Sequence, residues 1–129
     1  MSETVDTKEK KDETPSSVIK IEYKGTTHEL KFPNTGEMMD LAILKVQLSQ
    51  GNYSRIANTT LLGDKLAQFS VDTIAHLTVL CPDLIKSLNV ASYSEMEMTD
   101  MALLINIYLE SILPWMNSWY NLLDKIGAE

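Results

Sequence analysis

The sequence predicts an α+β domain that is mostly α. An N-terminal β-hairpin packs on three main helices plus a short one, and the last helix is long and bent at Pro114. Three observations predict it. Two short runs alternate apolar and polar residues about a Lys-Gly pair. The other apolar residues recur at three- and four-residue spacing, the period of a helix. One such seam crosses Pro114 without losing phase.

The hairpin spans residues 18–32, VIKIEYKGTTHELKF. With Lys24-Gly25 at the turn, Tyr23 faces Thr26, Ile21 faces His28 and Ile19 faces Leu30. In that register Ile19, Ile21, Tyr23, His28, Leu30 and Phe32 share one face. Lys20 and Glu29 pair on the other face. A slip of one residue would turn the apolar set outward. A lone hairpin is marginal in water, so this face is expected to pack on helices.

The first helix is expected over about 35–49. Asn34 can cap it, and Glu37 completes a capping-box pattern. Gly51 fits the left-handed terminator. Met38, Leu41, Leu44 and Leu48 form an inward stripe, widened by Met39, Ile43 and Val46. NYSRIANTT reads as a loop with room for one helical turn. A second helix runs over about 60–80, with Phe69, Ile74, Leu77 and Leu80 inward. Pro82, suited to a first helical turn, opens a short helix over 82–88. VASYSEMEM is irregular, and Thr99 or Ser94 is expected to cap the last helix, 99–126.

Residues 1–16 read as a disordered charged tail, since Val5 is the single core-type side chain after Met1. Residues 17–127 make one globular domain, as a length of 129 residues suggests. The formal net charge is −7, and Arg55 is the sole arginine. A nucleic-acid binder needs a positive face to displace counterions from phosphates, so neither nucleic acid nor an anionic membrane is expected as partner. One cysteine, Cys81, permits no intrachain disulfide and suits a reducing compartment. The first residues lack the apolar run of a signal peptide. The longest apolar stretch is broken by Asn106, Glu110 and Pro114. A cytoplasmic, non-secreted protein is expected.

Met101, Ile105, Tyr108, Ile112, Trp115, Trp119, Leu122 and Ile126 form a single helical seam. A second apolar set, Leu103, Leu104, Ile107, Leu109, Met116, Tyr120 and Leu123, lies on other faces. A domain of this size has few ways to bury every side of its terminal helix. An oligomer interface or a partner groove is therefore expected there. Met96 and Met98 alternate with Glu95 and Glu97 just before it, and flexible methionines suit adaptable binding surfaces. The candidate partner-binding residues are Met96, Met98, Met101, Tyr108, Trp115, Met116, Trp119, Tyr120 and Leu123. A core role for the two indoles is the competing reading.

No catalytic constellation, cofactor motif or metal-ligand spacing stands out, so no enzyme activity is expected. Asp72 and His76, four residues apart, are expected to form a surface ion pair. Cys81 is expected to be a buried structural thiol.

The order of features resembles the small tail assembly chaperones of long-tailed bacteriophages. A charged tail and the hairpin IKIEYKGTTHELKF lead to a PNTGEMMDL helix and a QGNY turn. A middle helix ending LTVLCPDL, a loop near SLNVASYSE and a final helix with LPWMNSW follow. The resemblance covers about residues 18–123 and rests on this layout, with PDL at 82–84 and PWMNSW at 114–119. It implies a non-catalytic chaperone that binds the helical tape-measure protein, keeps it soluble and helps recruit tail-tube subunits. It also implies a homo-oligomer in the host cytoplasm, absent from the mature virion, in a family that often makes a frameshifted longer form. A structural virion protein, or a cellular adaptor dimerising through its C-terminal helix, would use the same surface differently.

Overall fold

The computed structural model describes residues 14–88 and 95–128. The tail expected at 1–16 lies outside the described residues up to 13, as do residues 89–94 of the irregular stretch, including the candidate cap Ser94.

The hairpin is formed by β1 (Val18–Tyr23) and β2 (Thr26–Lys31), antiparallel, in the expected register: Ile19 opposite Leu30, Ile21 opposite His28, Lys20 opposite Glu29. Both turn residues have positive φ, Lys24 at 50° and Gly25 at 85°. That is the backbone a tight right-twisting hairpin needs. Leu30, Ile21 and Tyr23 are buried, and Ile19 and Phe32 pack beside them.

Helix α1 (Thr35–Leu48) starts at the capping box. The Asn34 side chain accepts from the Glu37 amide at 2.8 Å, and the Glu37 carboxylate accepts from the Asn34 amide at 3.0 Å. At the other end the Gly51 amide donates to the Val46 carbonyl and that of Gln50 to Gln47. This is a Schellman terminator. Its left-handed position falls on Gln50, φ 54°, one residue before the expected glycine, and Gly51 follows at 83°. One turn forms α2 (Tyr53–Ala57), then come α3 (Leu62–Leu80) and α4 (Pro82–Ser87), with Pro82 in the first turn. Helix α3 is the central member, packed against α1, α2, α4 and the last helix.

That last helix is continuous from Met98 to Ala128, in three parts: α5 (Met98–Ile107), a π-helical turn (Tyr108–Ile112) and α6 (Leu113–Ala128). The residue at its cap position is Glu97, and no side chain among the described residues caps it, so Thr99 is not the cap. The expected deformation at Pro114 takes a specific form. Proline has no N–H to donate to the Glu110 carbonyl, and its ring crowds that oxygen. The preceding turn widens instead, with the Leu113 amide reaching back five residues to the Tyr108 carbonyl. Phase survives: Met101, Ile105, Tyr108, Ile112 and Trp115 are all buried.

The hairpin lies along this helix and is pinned at both ends. At its tip Lys24 pairs with Asp100 at 3.1 Å. At its base the Ser16 carbonyl meets Trp115 and Trp119. Eight residues of extended chain cover about 26 Å. The nineteen residue-to-residue steps of helix from Asp100 to Trp119 cover about 28 Å. Strand and helix lengths therefore match. The shared core holds Leu30, Leu77, Leu84, Leu104, Ile112 and Met116, each fully buried or nearly so. Burying side chains of this size contributes about 2 kcal/mol each.

Candidate functional site

The stretch with both tryptophans makes an aromatic joint. Phe32, at the end of the hairpin, stacks on Trp119 with ring centroids 4.9 Å apart and meets Trp115 edge-on at 5.7 Å. Tyr120 approaches the same ring at 6.4 Å. Both indole N–H groups donate to one acceptor, the Ser16 carbonyl, at 2.7 Å from Trp115 and 2.9 Å from Trp119. Ser16 thus belongs to the fold, where the sequence reading placed it in the tail. Trp115 is buried and Trp119 half-buried against the hairpin. The heptad seam leads its aromatics to the hairpin because period two in the strands and period 3.5 in the helix bring two apolar faces together.

A second cluster sits inside the helices. The Asp72 carboxylate is buried on α3. It accepts from the Tyr53 hydroxyl at 2.5 Å and from the Gln68 amide at 3.4 Å, and Lys45 lies 3.6 Å away. Helices α1, α2 and α3 are thereby tied at one acid. His76 is also buried, and its Nδ1–H donates to the Asp72 backbone carbonyl at 2.7 Å, with the Tyr108 ring 5.0 Å off. A carbonyl can only accept, so the imidazole carries its proton on Nδ1. Burial lowers the His76 pKa to about 4, so the ring is neutral at pH 7. The expected surface ion pair is corrected: the i, i+4 spacing is right, but the face is inward. Burial pushes the Tyr53 and Tyr108 hydroxyls and the Cys81 thiol up, which leaves all three protonated. Among the described residues no group of three or more His, Cys, Asp or Glu could hold a metal, and no helix is long and apolar enough to cross a membrane.

The candidate partner-binding residues separate into three groups. Tyr108, Trp115 and Met116 are buried in the chain's own core. Trp119, Tyr120 and Leu123 follow one another out of that core: half-buried, then 38% and 46% exposed, with Ile126 at 59%. Met96, Met98 and Met101 come together in an apolar groove of about 400 Å³, walled by Leu48, Val71 and Ile74. Met101 forms its buried floor, and Met98 its open lip at 60% exposure.

Two further surfaces were not picked out as partner sites from the sequence. On α1, Met39, Ile43 and Val46 were read as widening an inward stripe, yet each is more than half exposed. Val46 and Ala42 line a cleft of about 430 Å³ with Tyr53 and Tyr120. On α3, Leu62 is 74% exposed and Leu66 42%. Their signal was present in the Leu-Leu pair before Gly63 with a third leucine one turn on.

A scan against protein-family profiles, a search of curated proteins and a search of solved structures each return no match to the chain.

Proposed function

We propose that this protein is a non-catalytic phage tail assembly chaperone. It binds helical segments of the tape-measure protein, keeps that protein soluble in the host cytoplasm and helps bring tail-tube subunits to it. It leaves before the virion is complete. One observation carries the reading: large apolar side chains stand in water along separate helix faces. They are Met39, Ile43 and Val46 on α1, Leu62 and Leu66 on α3, Met98 and Leu103 on α5, and Leu123 and Ile126 on α6. Exposed apolar faces of this kind mark interaction surfaces. A net charge of −7 opposes non-specific association between copies of a chain that carries them. The choice of partner rests on the resemblance in layout and in the PDL and PWMNSW stretches.

Co-expression with a tape-measure protein tests it. The soluble yield of the tape-measure protein should rise several-fold, and purified particles should lack the chaperone. No gain in solubility would remove the chaperone reading, and stoichiometric presence in particles would favour a structural virion protein.

A further inference from the structure

We propose that the methionine-lined groove between α3 and α5 takes an amphipathic helix whose apolar stripe is flanked by Lys or Arg. This rests on the chaperone reading and adds to it a place on the molecule and a chemistry for the partner.

Shape is the first argument. Ser70 and Ile74 lie on the groove wall. Leu66 and Leu62 continue the same row of α3 toward its N-terminus at four-residue steps. The row from Leu62 to Ile74 measures about 18 Å, three helical turns. Its side chains pass from 74% exposed at Leu62 to buried at Ile74. The groove, apolar but for Ser70, with the exposed Leu66 and Leu62 beyond it on the same row, suits the ridge of another helix, read at i, i+3, i+4 and i+7. Met96 and Met98, unbranched and polarizable, let one groove fit varied side chains.

Charge is the second. None of the described residues lining the groove is charged. Glu95 and Glu97 alternate with Met96 and Met98 at its rim, are exposed, and are in no ion pair among the described residues. Asp100, the next acid, is held by Lys24. An incoming helix with basic flanks meets two uncommitted carboxylates, and one with acidic flanks meets repulsion.

The test uses the full chain and two labelled peptides of about 18 residues, long enough for the groove. Both carry leucines at i, i+3, i+4 and i+7. One has lysines on its flanks and the other glutamates, and fluorescence anisotropy is read at low and high salt. The lysine peptide should bind about tenfold more tightly or better, and lose that advantage in salt. Met98→Asp should abolish binding, and Glu95→Lys with Glu97→Lys should reverse the preference. Val46→Asp, on α1, should change nothing. All four side chains are exposed, and circular dichroism confirms that each variant is folded.

Equal binding of the two peptides overturns the proposal, as does indifference to the Glu95 and Glu97 changes. So does loss with Val46→Asp but not Met98→Asp. A dimer of the protein alone that Met98→Asp dissociates also overturns it, because the occupant is then a second copy. The two readings fail separately. Lysine-peptide binding without tape-measure solubilisation sinks the chaperone reading alone. Solubilisation untouched by Met98→Asp sinks the groove alone.

Discussion

Phe32 and Trp119 lie nearly face to face, ring centroids 4.9 Å apart and planes 28° from parallel. The hairpin and the far end of the last helix meet in that stack. Replacing Phe32 with Leu and Trp119 with Leu, singly and together, should show a coupling of about 1 kcal/mol, the worth of an aromatic pair beyond its buried area. Urea unfolding of the four proteins checks it. Strict additivity would mean that the rings merely share a location.

Asp72 should be the most sensitive polar position. Replacing it with Ala strands the Tyr53 hydroxyl and leaves Lys45 beside an apolar gap, at a cost of about 3 kcal/mol. Tyr53→Phe removes one hydrogen bond to a charged acceptor and should cost about 2 kcal/mol. Denaturation midpoints at pH 7 measure both.

His76 gives stability a pH dependence of definite sign. Burial holds its folded pKa at about 4, below the ordinary 6.5. Between those values the unfolded chain binds a proton that the folded chain refuses. The contribution is complete above pH 6.5 and is lost as pH falls toward 4. By pH 4.5 the loss should reach about 2.5 kcal/mol. Groups facing the ring include Asp72, Lys45 and Tyr108, so the control is His76→Gln, whose unfolding free energy should vary much less over that window.

The capping box predicts a smaller, local effect. Asn34→Ala removes the acceptor for the Glu37 amide and should cost about 1 kcal/mol. Asn34→Asp should retain most of it. Thermal melts of the three proteins suffice.

The hairpin was legible because alternation in two strands agrees in just one register, and Lys24-Gly25 supplied the turn. The first helix was legible from Asn34 and Glu37, and the last from a seam kept through Pro114. What periodicity leaves open is which face another element covers. Asp72 and His76 were placed on one side of α3 correctly, but Tyr53 and Tyr108, distant in sequence, decide that the side is inward. Met39, Ile43 and Val46 show the converse, an apolar stripe left more than half exposed among the described residues. Of the candidate contact residues, Met96 and Met98 line a groove where the chain enters α5, whereas Trp115 packs on Phe32 of the hairpin and Met116 lies in the shared core. The widened turn at Tyr108–Ile112 could not be read at all, since a proline announces a missing hydrogen bond without saying how the helix will close over it.

The pairing of Ser16 and Phe32 with Trp115 and Trp119 also sets an order of events on the ribosome. β1 and β2 emerge early, with an apolar face that two strands alone cannot keep dry. The indoles that cover Phe32 are translated about 80 residues after it. A nascent chain carries that end of the hairpin uncovered over the whole interval, and the aromatic joint closes only when the indoles arrive.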